Sequence, residues 1–351
     1  MKRAVVSACL AAGVSCGLAL GVPVASAQIA PAARTASDLT PYRAQIGQAV
    51  AGYAERMQEG DLVAAADARK QLLAELQGFQ VSPAFLEEVA REANRALLPV
   101  IRDNDDPTRR LNAAIAVAEI AEASRSLRLL PAVEAAMADE SKPVQLWGVR
   151  GSRHLMARSL SEPNGTLHRT VLQIAEENIN EGLLVGEAFR ALTVNQTDRL
   201  LAAGSRKDEV LQGLRSLMRK RIDLYSVEPG PDLPEIDWLP PAYLVSVQVW
   251  EQFNPEERSE VIQLTVDLID AALTRMQMVK QVEQGPYAQV IRKMGESLGA
   301  VAFSENISVL AAPAVSLAQI PLRPPQISST RARVDAVFGA IGQVWEDVEL
   351  P

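Results

Sequence analysis

Histidine, cysteine and clustered carboxylates are the side chains that bind metals and move protons, and this 351-residue chain uses the first two sparingly. His154 and His168 stand fourteen residues apart with no acidic residue at a ligand-like spacing from either, so no zinc or iron motif assembles locally. Cys9 and Cys16 both fall in the first 27 residues, which leaves the rest of the chain without a thiol, a disulfide, a thiolate metal site or a cysteine nucleophile. Asp103-Asn104-Asp105-Asp106 gathers oxygen ligands of the kind calcium takes. It lacks the glycine and the distal bidentate glutamate of an EF-hand loop, and capping together with the helix dipole already accounts for an acidic turn ahead of a helix. The glycines are scattered, with no GxGxxG and no P-loop pattern, and neither a phosphate cradle nor a hydrolase elbow is expected from them. No metal and no cofactor is therefore expected.

Two carboxylates brought together by folding would still suffice for glycan cleavage. Glu296-Ser297 resembles the Glu-Ser pair of helical lytic transglycosylases, but the aromatic and glycine motifs that should follow are replaced by Leu298-Gly299-Ala300-Val301. Fifteen aromatic residues in the whole chain leave few stacking platforms for sugar rings. A glutamate on a solvated helix face is the reading adopted for Glu296.

Basic residues offer more. Arg150, Arg153, His154 and Arg158 follow Pro143 at spacings that place them within an arc of about 140° on one helix. Guanidinium forks suit carboxylate or phosphate groups, so this stripe is the candidate binding site for an acidic peptide or an anionic envelope polymer. The competing reading pairs these arginines with carboxylates on neighbouring helices. Arg215, Arg219, Lys220 and Arg221 end another helix, expected from about Arg206 to Tyr225, where cations complement the helix dipole without any ligand. Trp147 is expected to pack between helices, whereas Trp238 has the better claim to exposure.

The compartment is read from the N-terminus. Met1-Lys2-Arg3 is basic, the 21 residues Ala4 to Val24 carry no charge, and Ala25-Ser26-Ala27 supplies small residues around a cleavage point before Gln28. That is the anatomy of a secretory signal peptide, and cleavage after Ala27 is preferred to retention as a membrane anchor. Lys plus Arg number 35 against 43 for Asp plus Glu, a net charge of -8, and losing Lys2 and Arg3 makes it -10. A chain this acidic is not expected to bind nucleic acid. A preference for Arg over Lys and abundant alanine associate it with GC-rich bacteria, hence with the periplasm or the exterior, and with no stable membrane span once the leader is gone. In that setting the sequons at Asn164, Asn195 and Asn306 carry no meaning; in a eukaryote they would be glycan acceptors.

The elements that must position these residues read as helices. Thr40-Pro41, Ser82-Pro83, Asp106-Pro107 and Asn254-Pro255 each set a capping side chain before a proline suited to the first helical turn, and Glu257 completes a capping box with Asn254. Only Tyr243-Leu244-Val245-Ser246-Val247 has a strand-like look. Five prolines in the fourteen residues from Glu228 to Pro241, and three in the seven from Ile320 to Gln326, interrupt the helices. Val334, Val337, Phe338, Ile341, Val344, Trp345 and Val348 trace one apolar stripe on the last helix. Leu97-Leu98-Pro99 recurs as Leu129-Leu130-Pro131, and Pro107 recurs as Pro143, giving a period in the thirties.

The segment Asp105-Asp106-Pro107-Thr108-Arg109-Arg110-Leu111-Asn112-Ala113-Ala114 resembles the inter-helix turn and second helix of a HEAT repeat. Ser141-Lys142-Pro143-Val144-Gln145-Leu146-Trp147-Gly148 looks like a second copy, and Asn180 to Leu192 like a third. Arg109 stands where the family has Val, Gln145 where it has Arg, and the third copy lacks both the proline and the basic residue. Covering about residues 86–194, the resemblance implies architecture, an all-α fold built as an α-solenoid of stacked antiparallel helix pairs, and implies no catalytic residue.

These readings give a layout of signal peptide 1–27, flexible lead-in 28–37, helical-repeat region 38–227, Pro-rich linker 228–241 and C-terminal helical region 242–351. The expected function is a non-enzymatic scaffold that offers a groove to a protein or an anionic envelope polymer. A helical cell-wall glycan hydrolase or lyase using paired carboxylates, and a structural subunit of an envelope assembly, are the alternatives.

Overall fold

The computed structural model describes residues 29–78, 81–193, 205–322 and 326–351. The leader expected at 1–27 with its two cysteines, Gln28, the Asn195 sequon and part of the second proline-rich stretch lie outside the described residues. Among the described residues every regular element is helical. In chain order these are α1 (Pro31–Thr35), α2 (Arg43–Glu59), α3 (Leu62–Ala74), α4 (Pro83–Asp103), α5 (Pro107–Ser124), α6 (Leu130–Met137), α7 (Lys142–Ser161), α8 (Leu167–Glu177) and α9 (Gly182–Leu192). There follow α10 (Ser205–Asp223), α11 (Leu239–Leu244), α12 (Val247–Trp250), α13 (Pro255–Met278), α14 (Gln284–Ser304), α15 (Ser308–Leu317) and α16 (Ile327–Gly342).

Three of the four proline-marked starts form as their side chains dictate. Ser82 Oγ accepts from the Phe85 N–H at 3.1 Å and Asp106 from the Thr108 N–H at 2.8 Å. Asn254 and Glu257 exchange bonds at 2.9 and 3.1 Å in a complete capping box. Thr40-Pro41 does not cap a helix: Asp38 takes the Thr40 N–H at 2.9 Å in an Asx-type turn, and the Leu39 carbonyl accepts the Tyr42 and Arg43 N–H groups at 2.8 and 3.0 Å that a Thr40 cap would take, so α2 starts at Arg43.

Helices α2 to α7 and α9 pack in two rows, with α8 paired to α9. α2 lies against α4 and α4 against α6, while α3 lies against α5, α5 against α7 and α7 against α9; the pairs α2–α3, α4–α5, α6–α7 and α8–α9 join the rows. Pro107 and Pro143 thus open helices that lie side by side. The Leu-Leu-Pro recurrence has no such meaning, because Pro99 lies inside α4 whereas Pro131 opens α6. Small residues let the rows approach. α5 buries Ala113, Ala114, Ala116, Ala118 and Ala121, and Gly148 and Gly151 of α7 meet the α6 backbone and Ala118 respectively. One apolar core, containing Phe85, Leu97, Ile120, Leu155 and Phe189, runs through this half. A second, built on Trp250, Ile269, Met294 and Val337, fills the C-terminal half, where α13, α14, α15 and α16 each pack on the next and α16 returns to α13.

Several expectations need correction. Part of the segment expected to be a flexible lead-in is ordered: Pro31–Thr35 is helical, and Ile29 and Ala33 are buried in the first core beside α4, while Pro31, Ala32, Thr35 and Ser37 are exposed. The Pro-rich stretch 228–241 is no open linker. Ile236 enters the first core, Trp238 packs on the second half-buried rather than exposed, and Asp237 is buried. The strand-like Tyr243–Val247 spans the end of α11 and the start of α12, since the Ser246 carbonyl accepts the Val249 and Trp250 N–H groups and starts a new turn. The last helix stops at Gly342, so Val344, Trp345 and Val348 fold back over it as a turn rather than extending its stripe.

A Cβ at position 148 would stand 2.4 Å from Met137 N and 2.7 Å from Ala136 C, whereas one at Gly52 would meet nothing within 4 Å. Gly148→Ala is expected to lower stability in urea denaturation by about 1–3 kcal/mol through overpacking, and Gly52→Ala to raise it by about 0.5–1 kcal/mol through helix propensity. Equal midpoints for the two variants contradict the close approach of α6 and α7.

Candidate functional site

α7 buries Val144, Gly148, Val149, Gly151, Ser152, Leu155 and Met156 against α5, α6 and α9. What remains at helical spacing is an open face bearing Trp147, Arg150, His154 and Arg158, with Arg153 on its flank. Arg150, Arg153 and Arg158 are exposed and His154 is half-buried. The Arg150 guanidinium lies 4.6 Å from the centroid of the Trp147 ring, a cation–π contact. Arg158 Nη1 donates to the Arg125 carbonyl at 3.2 Å. His154 Nε2 stands 4.0 Å from Glu122 Oε2 on α5. Among the described residues no carboxylate pairs with Arg150, Arg153 or Arg158. The stripe anticipated from sequence therefore stands together on one helix face, and the inter-helix pairing that competed with it is limited to His154.

Burial pushes the His154 imidazole below its ordinary 6.5; Glu122 draws it back, and Arg153, Arg125 and Arg150 depress it further. The unfolded chain consequently takes up this proton first as pH falls through 6.5, so the group withdraws stability below that pH. At neutral pH the stripe carries three charges.

The second basic cluster is fully engaged. Arg215 and Arg219 pair with Glu260 on α13 and Lys220 with Glu176 on α8. Arg221, 1% exposed, donates to Asp237 at 2.9 and 3.1 Å, to the Ile179 carbonyl at 2.9 Å and to the Asp232 carbonyl at 2.8 Å. Sequence spacing gives no hint of this network, because its carboxylate sits sixteen residues on, inside a proline-rich stretch. Burial pushes the Asp237 carboxyl up to about 6, against the pull of Arg221 and of the Tyr225 hydroxyl.

Other chemistry-bearing groups serve packing. His168 is buried, its Nε2 3.0 Å from Glu209, which Arg169 and His168 together hold down to about 2. Asp106 caps α5, and the Asn104 and Asp105 carbonyls accept from Arg110, so the turn serves the start of α5. Glu296 faces Lys293 and Arg292 on its own helix, partly exposed. Gly295-Glu296-Ser297-Leu298-Gly299 does match the spacing of a hydrolase elbow, contrary to expectation. It lies inside α14 with Ser297 Oγ donating to the Lys293 carbonyl, whereas an elbow needs a strand-to-helix turn that exposes the serine. Glu88 and Glu92 are paired carboxylates 8% exposed on α4, but Arg91 bridges them at 2.5 and 2.8 Å. No group of His, Cys, Asp or Glu among the described residues has the arrangement of a metal site, and no helix among them is long and apolar enough to cross a membrane.

No protein-family model matches the sequence, and no curated protein does. Two solved structures of engineered proteins align over most of the chain. One is 15% identical, covers 88% of this chain and 82% of its own, and gives a TM-score of 0.37. The other is 13% identical, covers 84% and 96%, and gives 0.31.

The His154 environment is checked by titrating its imidazole by NMR. A midpoint below 6.5 is expected, moving lower still in Glu122→Gln; a midpoint above 6.5 contradicts the burial that sets it.

Proposed function

We propose that this chain is a non-enzymatic scaffold of the secreted or periplasmic type, a HEAT-like α-solenoid whose α7 face receives an anionic partner, either a protein or an envelope polymer. The observation that carries the reading is the set of three exposed guanidiniums, Arg150, Arg153 and Arg158, without carboxylate partners among the described residues in a chain of net charge -8. Three such groups on one helix face concentrate positive charge there in an otherwise acidic molecule. The two-row packing of helix pairs supports the solenoid, since each pair buries its apolar side only against its neighbours. The leader composition supports export, and the C-terminal helices α13–α16, tied to the stack through α10, close its far end.

Position alone leaves two outcomes to separate. Site-specific photo-crosslinking from position 154 in the producing cell is compared between the wild type and Arg150→Gln/Arg153→Gln. The reading predicts one dominant adduct that the double variant loses, with a Tm within a degree or two of wild type because each exposed cation contributes about 0–1 kcal/mol. Added salt should weaken capture steeply. An adduct of unchanged yield in the double variant overturns it.

A further inference from the structure

The open face of α7 does not stand alone. Arg110 of α5 reaches Asp139 just before α7, at 2.7 and 3.1 Å, and Lys142 of α7 reaches Asn178 just before α9, so the N-terminal ends of α5, α7 and α9 lie along one edge and the three helices run parallel. Beside that edge, on the same open side, Leu111 and Ile115 of α5 and Leu146 and Trp147 of α7 are half-exposed, and Leu183 of α9 is 66% exposed. An apolar strip therefore crosses three helices, and the Arg150–Arg158 stripe leaves it along the middle one.

The charges on either side of that stripe select among anionic partners. Glu119 and Glu122 occupy the open face of α5, and Glu187, paired with Arg190 at 3.0 Å, that of α9. A uniformly anionic polymer crossing the stack would meet these carboxylates, and one running along α7 alone would find a track of only about 12 Å from Arg150 to Arg158 at 1.5 Å per residue. A segment that is apolar along most of its length and acidic where it passes α7 meets no such conflict.

Resting on the reading of α7 as a docking face, we infer that the partner is a protein presenting an acidic amphipathic helix, laid across α5, α7 and α9 with its apolar side on the Leu111–Trp147–Leu183 strip and its carboxylates on Arg150 and Arg153, the two arginines of the stripe nearest that strip. Helix axes spaced about 8–10 Å apart make this crossing about 20–30 Å long, the length of a helix of about 15–20 residues. Trp147, roofed by the Arg150 guanidinium, is the centre of the contact: an aromatic ring and an arginine at the crossing of the apolar and charged strips are the side chains that most often carry binding energy.

The test uses the full chain and three labelled probes in fluorescence anisotropy at physiological ionic strength: a helix-forming peptide with leucines on one side and glutamates on the flank, poly-L-glutamate, and long-chain polyphosphate. The peptide should bind at least about tenfold more tightly than either polymer. Arg150→Gln/Arg153→Gln and, separately, Leu183→Ser should each weaken it about tenfold. Phe303→Ser, at an 86% exposed apolar residue of the other half, should leave it unchanged. A polymer that binds as tightly as the peptide, or peptide binding that ignores Leu183→Ser while depending on the arginines, overturns the acidic-helix partner and leaves the docking face standing. Binding of every probe that ignores the arginines, or fails altogether, overturns this inference; the docking face itself falls only if the crosslinking adduct also persists in the double variant.

Discussion

Arg221 is the cation on which the arrangement of this protein turns. Its guanidinium makes four hydrogen bonds, two to the carboxylate of Asp237 and one each to the carbonyls of Asp232 and Ile179, so one cation joins the turn between α8 and α9, the end of α10 and the proline-rich stretch leading to α11. The Tyr225 hydroxyl donates to the same Asp237 at 3.0 Å, and burial beside that carboxylate pushes the phenol well above its ordinary range. A buried ion pair adds little net stability compared with an apolar replacement. Removing one partner is a different matter, because the orphaned charge then costs about 3–5 kcal/mol. The pair therefore acts as a specificity device, compatible with one docking of the C-terminal helices on the stack.

The same device recurs in simpler form along the edge. Arg109 donates to the Gln58 carbonyl, Arg110 to Asp139, Lys142 to Asn178, and the series ends at Arg221. Each contact runs from one helix pair to an adjoining one and fixes their axial offset, which apolar packing alone leaves soft because a smooth row of alanines slides at little cost. With the offset fixed, the open faces of α5, α7 and α9 come into line, and residues far apart in sequence form one surface. α10 contributes to both cores, Leu214 to the first and Met218 to the second, so the stack and the C-terminal helices meet across a shared helix rather than a tether.

How much of this was legible in the sequence follows from the range of each signal. Caps are local chemistry, and Ser82, Asp106 and Asn254 were readable because donor and acceptor lie within three residues; Thr40 misled because the Leu39 carbonyl takes the Tyr42 and Arg43 N–H groups it would have capped. The α7 stripe was readable because a helix turns spacing into adjacency. Its lack of carboxylate partners was not, since that depends on what α5 and α9 bring opposite. The Leu-Leu-Pro recurrence was a match of letters at two different stages of a helix. The proline-rich stretch was read as a linker because proline breaks helices, yet breaking a helix does not prevent burial, and Ile236 and Asp237 are held from both sides. Arg221 looked like a cation at a helix end; only the fold brings Asp237 to it.

The stack and the C-terminal helices share α10 and are joined at Arg221, and that junction holds the α7 face in place. Hydrogen exchange by mass spectrometry on the full chain, wild type against Asp237→Asn, tests this most directly. The substitution preserves size and leaves the Arg221 guanidinium buried without its counter-charge, so protection should fall about a hundredfold or more, the equivalent of about 3 kcal/mol. The loss should be concentrated in the turn after α8, the end of α10 and the stretch through α11, with α4 and α5 little changed. Exchange indistinguishable from wild type across that junction would contradict the account.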